Sequence, residues 1–370
     1  MTLFLFFVIL AVLILAHELG HFLAAKWGGI RVDEFGLGLP PRIFGFKRGE
    51  TLYSLNWLPF GGFVKIFGED ITEEAAIGSE RERSLINKPK WLQAVVLSAG
   101  VFFNLVLAWI LISFNLVAGL PVATTGLPAG LRLEDQALVV SVVLPESPAA
   151  RAGLIPGDKL ISLTAGQNSV EDLSAERVSD FVKSRSGQKI AVTYERTVKE
   201  TGAGIFTATV VPEVKDDNKE ALIGIAMGEV GLAKATWWQA PFYGLYFSGR
   251  LIGDTLAGFK FFFSMLITDS RGALSAVSGP IGIYGLVGDA SQLGLVYLLN
   301  FVALISINLA VLNLLPFPAL DGGRLLFVLI EAVTRRAIKP IVANAFNLIG
   351  FVLLILLMFV IAASDILKLL

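Results

Sequence analysis

Only two histidines occur in the 370 residues, and they stand four apart with an acid beside the first, as His17, Glu18 and His21 in HELGH. On a helix, positions i and i+4 share a face, so both imidazoles can point at one ion while Glu18 stands next to them. That spacing is the HExxH pattern of zinc hydrolases. In such enzymes the metal lowers the pKa of its water to about 7, and the glutamate takes the water's proton and passes it to the leaving amine. The plainer alternative is three polar residues at the end of an apolar segment, satisfied by headgroups or water. Burial argues against it, because polar groups in hydrocarbon cost several kcal/mol, on the order of a lost hydrogen bond each, unless something such as a cation compensates.

A catalytic zinc usually takes three protein ligands. The chain has no cysteine and no third histidine, so the remaining ligand must be acidic. The best placed is Asp321 in NLLPFPALDGGRLLF, residues 313–327, after an apolar segment interrupted by Pro316 and Pro318 and before Gly322 and Gly323. Prolines remove backbone donors and open the helix, and glycines permit close approach of the chain. An ordinary Pro-Gly turn ending in Asp is the competing reading. Glu331 and Asp365 have no broken helix around them, and Asp254 and Asp289 fall in a segment expected on the opposite side of the membrane. The outer partners of the two imidazoles must be carbonyls, Asn, Gln or carboxylates.

The elements that carry these residues are apolar. The chain is 55% hydrophobic and 16% charged, with a mean hydropathy of +0.71, which marks an integral membrane protein. Four spans are expected: residues 2–25, about 94–117, about 295–315 and about 345–363. The first lacks the basic start and small-residue cleavage site of a signal peptide. Residues 125–230 mix charge with alternating apolar strands and read as a folded, water-exposed domain. Residues 233–267 are apolar but carry Arg250, Asp254 and Lys260, which suggests amphipathic helices lying on the membrane, with a fifth span as the alternative. The loop 26–93 and the stretch after the third span are rich in Lys and Arg, which places both in the cytoplasm and the 125–230 domain outside. A net charge of -1 points to no nucleic-acid partner.

With these residues in view, the chain resembles the site-2 protease family of intramembrane metalloproteases, in its bacterial regulator-of-sigma-E protease branch. HELGH at 17–21 and NLLPFPALDGG at 313–323 match the family's two zinc motifs. GGFVK at 61–65, NKPKWLQ at 87–93, SAGVFFN at 98–104 and SGPIGI at 278–283 extend the likeness along nearly the whole chain. The resemblance implies an α-helical polytopic membrane protein with four transmembrane helices, a membrane-reentrant β-hairpin at 35–66 and one inserted extracytoplasmic α+β PDZ domain at 125–230. The membrane core would comprise residues 1–118 and 293–370, with amphipathic helices over 231–292. It further implies a zinc endopeptidase of the bacterial inner membrane whose substrates are transmembrane segments of proteins already trimmed by another protease, such as anti-sigma factors or signal peptide remnants, with membrane lipid as the surrounding partner. His17, His21 and Asp321 would bind zinc and Glu18 would be the catalytic base. Asn104, Asn308, Asn313, Pro316, Pro318, Gly61 and Gly62 would handle substrate. Two departures stand out: Val101 replaces the family's usual Pro, and Arg324 stands where many relatives have His.

A peptide bond inside a helix is shielded, so cleavage requires local unwinding and new partners for the freed backbone. The 35–66 stretch, with KRGE as its turn, is expected to supply a strand edge for that purpose; a plain cytoplasmic hairpin is the alternative. In the PDZ-like domain, VSVVLPESPAARAGLIPGDKLISL and SAERVSDFVKS suggest a strand and helix flanking a groove, serving either as a peptide binder or as a steric filter against bulky outer domains. Two other classes of function compete. A catalytically inactive PDZ-bearing scaffold would have little use for His17, Glu18, His21 and Asp321 together, and a metal transporter would spread its ligands along a pathway.

Overall fold

The computed structural model describes residues 1–69, 78–198, 202–214, 221–269, 272 and 277–369. It divides into two compact units, one formed by Met1–Asn115 with Pro241–Leu370 and the other by Leu116–Ala240.

In the first unit α1 (Thr2–Trp27) carries HELGH in its last turns. It runs into two long antiparallel strands, β1 (Val32–Arg48) and β2 (Thr51–Ile66), joined at a turn where Gly49 takes φ +62°, a conformation glycine adopts without a Cβ clash. These two strands make four rungs. Phe35 lies between Val64 and Tyr53, and Tyr53 pairs in turn with Phe46, so the order across the layer is 62–66, 32–37, 51–56 and 42–48. Aromatic contacts run along the same line, with Phe22 of α1 5.3 Å from Phe35 and Tyr53 stacked 5.3 Å from Phe46. Such cross-strand aromatic pairs hold the register. Leu39, Ile43, Phe44, Trp57 and Leu58 project from the far end into the open. The hairpin expected at 35–66 is therefore present, and its apolar tip suits a lipid environment.

The helices that follow are α2 (Lys90–Ala118) and, after the second unit, α5 (Ala240–Thr268), α6 (Pro280–Leu293), α7 (Leu295–Leu314), α8 (Asp321–Thr334) and α9 (Pro340–Leu369). Among the described residues five helices are long and apolar enough to cross a membrane: α1, α2, α5, α7 and α9. That is one more than the four spans read from the sequence. The difference is α5, where the structure forms one unbroken 29-residue helix in place of short surface helices. Gly249, Gly253 and Gly258 inside it face open space and do not interrupt it, and although Phe247 and Ser248 are buried, its 18-residue span-like stretch has no residue buried by protein. Phe6, Ile9 and Leu13 of α1 pack with Val287 of α6 and Val302 of α7 into one core. At the other end of α6, the buried carboxylate of Asp365 on α9 accepts the Gly282 N–H at 2.9 Å, a favourable place for an anion at a helix N-terminus.

The second unit is a seven-stranded sheet with two helices on it. Its strands are β3 (Leu120–Ala123), β4 (Arg132–Val143), β5 (Lys159–Ala165), β6 (Asn168–Val170), β7 (Ile190–Val198), β8 (Gly202–Val210) and β11 (Ile225–Lys234), with a short pair β9 (Glu213–Val214) and β10 (Ala221–Leu222) apart. The order is β3-β11-β4-β5-β7-β8, with β6 on β5. Helix α3 (Pro148–Arg151) starts at Ser147 and helix α4 (Ala175–Lys183) at Ser174, each serine accepting a backbone N–H as its cap. Val178, Phe181 and Val182 of α4 meet Leu138, Leu163, Ile190 and Val192 in the core.

One buried charge in this unit makes a sharp prediction. Asp158 is fully buried, and its carboxylate is gripped by Arg196 Nε at 2.6 Å and Nη2 at 2.7 Å, with one further bond from the Ile155 N–H. Removing the guanidinium strands a charge in the interior. Arg196→Ala is expected to destabilise this unit by about 3 kcal/mol, seen as earlier thermal unfolding and faster protease nicking of residues 116–240 in the full-length protein, whereas Arg177→Ala, at an exposed pair with Asp172, should leave both unchanged.

Candidate active site

HELGH lies in the C-terminal half of α1, where the i, i+4 spacing sets His17 and His21 on one face, their rings 4.8 Å apart and nearly perpendicular. Asp321 reaches them from a different part of the chain. Helix α7 ends at Leu314, because Pro316 cannot continue it and forces the preceding Leu315 into an extended conformation (φ -61°, ψ 141°). The chain turns through Pro316–Leu320 with Ala319 at φ +69°, and α8 begins at Asp321 itself. Gly322 and Gly323 serve this turn rather than the ligand cluster. A Cβ on Gly322 would collide with the carbonyls of Leu314 and Leu315, and one on Gly323 with that of Phe317, so only glycine lets α8 fold back on the turn and aim Asp321 at α1.

The result is a compact triangle. Asp321 Oδ2 lies 3.0 Å from His17 Nε2 and 3.3 Å from His21 Nε2, and the two Nε2 atoms are 3.2 Å apart. His21 Nδ1 stands 2.8 Å from the Val96 carbonyl, which only accepts, so the ring proton is on Nδ1 and Nε2 offers a lone pair. Asp321 Oδ2 is buried and makes no hydrogen bond. Lone pairs meeting in this way are stable around a cation. Ligands bonded tetrahedrally at 2.0–2.2 Å stand roughly 3.3–3.6 Å apart, a little above the separations seen, so the donor set, the orphaned carboxylate oxygen and the edge lengths all fit zinc. His17, His21 and Asp321 form the one such cluster among the described residues.

Glu18 is held by the hairpin. The Val64 N–H, on the outer edge of the 62–66 rung, is turned toward its carboxylate. Gly62 on the same edge is so close to α1 that a Cβ there would stand 2.6 Å from Ile14 Cγ2 and 3.5 Å from Glu18 Cγ. Gly61 keeps φ +98°. Of the two glycines expected to touch substrate, Gly62 thus borders Glu18, while Gly61 lies against Leu39.

The other expected residues scatter. Asn308 on α7 accepts a 2.9 Å hydrogen bond from Thr255 of α5 and faces that helix. Asn313 is half-buried in the last turn of α7, Pro316 is exposed, and Pro318 packs against Gly350 of α9. Asn104, expected to handle substrate, is fully buried, with its amide nitrogen Nδ2 3.3 Å from His17 Nδ1. Arg324 forms an ion pair with Glu69, and nothing in the metal cluster touches it. The sequence reading missed the Val96 carbonyl and Gly100, at which a Cβ would collide with His21 Nε2 and lie 2.7 Å from His17 Cε1. A backbone carbonyl leaves no trace in residue types. Gly100 did leave one, since glycine in a helix interior costs about 1 kcal/mol against alanine and asks for a reason.

The model of peptidase family M50 matches residues 5–357. The chain belongs to peptidase family M50. A Clostridium perfringens protein provisionally named a zinc metalloprotease is 35% identical over 96% of this chain and 95% of its own length. The zinc metalloprotease RasP of Shouchella clausii is 29% identical over the whole chain and 99% of its own length, and RasP of Geobacillus kaustophilus is 29% identical over 98% and 97%. This M50 member is accordingly a zinc metalloprotease of the site-2 protease family, and the relatives' names carry zinc as the implied metal.

Proposed function

We propose that this M50 peptidase hydrolyses peptide bonds within transmembrane segments of other membrane proteins, in regulated intramembrane proteolysis, using zinc held by His17, His21 and Asp321. The single observation that carries the reading is the triangle of three ligand atoms on helices long and apolar enough to lie in a bilayer, or directly following one. When bound, zinc supplies Lewis acidity that makes water a nucleophile at neutral pH and polarises the scissile carbonyl. Glu18, oriented by the Val64 N–H, takes the proton of the attacking water and hands it to the departing amine. The edge at Gly61–Lys65, apart from the Val64 N–H turned to Glu18, pairs with a substrate segment unwound into an extended strand and brings its scissile bond beside Glu18 and the metal ligands. Support for that pairing is an edge beside Glu18 on which no further strand lies among the described residues, and the need of any unwound segment for new hydrogen-bond partners. The 116–240 unit works as a PDZ domain on the extracytoplasmic side, favouring substrates whose outer part has been removed, and the enzyme resides in the bacterial cytoplasmic membrane with its active site toward the cytoplasm. These assignments rest on the family resemblance and on the basic loops.

The test is direct. Purified protein in detergent, incubated with a model single-span substrate, should cut inside the span; a zinc chelator should stop the reaction and added zinc restore it. Cleavage only in the flanking soluble parts, or a reaction indifferent to chelator, would overturn the proposal.

A further inference from the structure

Three positions on one face of α2 meet the two imidazoles: Val96, Gly100 and Asn104, spaced i, i+4 and i+8. The Val96 carbonyl takes the His21 Nδ1 proton at 2.8 Å. Gly100 leaves room for both rings, because any Cβ would collide with them. Asn104 completes the series at His17, with its amide 3.3 Å from Nδ1, and its position is fixed by burial and by Ser306 Oγ, which donates to its main-chain carbonyl at 2.8 Å. One end of that amide, Oδ1, is buried without a hydrogen-bond partner.

We infer that Asn104 is a positioning residue for His17, its side-chain oxygen accepting the Nδ1 proton so that Nε2 turns a lone pair to the metal. The inference rests on the proposal that His17 is a zinc ligand. A neutral imidazole has one ring proton, and if Nε2 is to bind metal that proton must sit on Nδ1 and needs an acceptor. Asn104 is the side chain that reaches it. The two ends of a primary amide exchange places by a half-turn about one bond, with no change in shape; the half-turn brings Oδ1 to Nδ1. His21 and His17 are then oriented alike, each by an oxygen from α2, one main-chain and one side-chain. Outer partners of this kind typically change metal affinity 10–100-fold.

The experiment measures zinc affinity by chelator competition on the full-length protein, comparing wild type with Asn104→Leu and Asn104→Asp. Leucine keeps the volume and offers no acceptor, so zinc should bind roughly 10–100-fold more weakly. Aspartate offers only acceptors, so affinity should match or exceed wild type. Leucine binding zinc as tightly as wild type overturns the inference, and so does aspartate failing as badly as leucine, which would mean the amide acts as a donor. Because the chain has only two histidines, ring-15N NMR of the zinc-loaded wild type gives a second readout independent of any variant: both rings should carry the proton on Nδ1, and a His17 ring protonated on Nε2 sinks the idea. Wild-type protein that binds no zinc would instead defeat the metal reading itself, a result distinct from either failure above.

Discussion

Glu18→Gln should lower cleavage of a single-span substrate by roughly 10²–10⁴-fold, the usual contribution of a general base, while zinc per chain stays at the wild-type level. The separation of the two readouts follows from the geometry. The atoms that could hold the metal belong to His17, His21 and Asp321, and Glu18 is outside that set. Glutamine keeps an oxygen for the Val64 N–H, so the side chain remains where it is and loses only its capacity to take up a proton. Metal analysis and a turnover assay on the same preparation check it. Activity within a few-fold of wild type would remove Glu18 from the role of base, and zinc lost together with activity would make it part of the metal site.

The second large effect is at Gly100. Alanine is the better helix former by about 1 kcal/mol, so helix propensity alone predicts that Gly100→Ala stabilises α2. The structure predicts the opposite for the site: the new methyl would overlap His21 Nε2 and press on His17, both on a helix already in close contact with α2, where a Cβ on Gly20 would collide with the Ala99 carbonyl. The rings must turn away, and ligands displaced by even a fraction of an ångström lose the shared coordination point. Zinc content after gel filtration should fall at least about tenfold, in line with the losses that follow from disturbing metal-ligand orientation, and cleavage should fall with it. Gly285→Ala is the matched control, since a Cβ there meets nothing within 4 Å, and its zinc and activity should be those of wild type. Full zinc occupancy in Gly100→Ala would show that the imidazoles have freedom the packing denies them.

Much of this enzyme was legible in its residues. The HExxH spacing fixed which side chains share a helix face, because helical periodicity is a local property that needs no knowledge of the rest of the chain. The absence of cysteine and of a third histidine leaves an acidic side chain as the expected third ligand, and the prolines before Asp321 predicted the end of α7 at the right place. The hairpin and the strands and helix of the inserted unit followed from turn residues and alternation.

What only the tertiary structure decided concerns contacts between residues far apart in the chain. That Asp321 comes within 3.0 Å of His17 depends on a turn whose glycines press against main-chain carbonyls, and residue types do not encode where a carbonyl will be. The same holds for Val96 on His21 and Val64 on Glu18, where a backbone group available at every position acts because of its placement. Asn104 shows the reverse case: the residue type singles the side chain out, but an amide near a substrate path and an amide behind an imidazole look identical until the helices are packed. Helix α5 marks the same boundary. Its charged residues suggested a surface helix, and its continuity over 29 residues emerges only when the backbone is built, because three charges spread over a long apolar helix do not by themselves set where it ends.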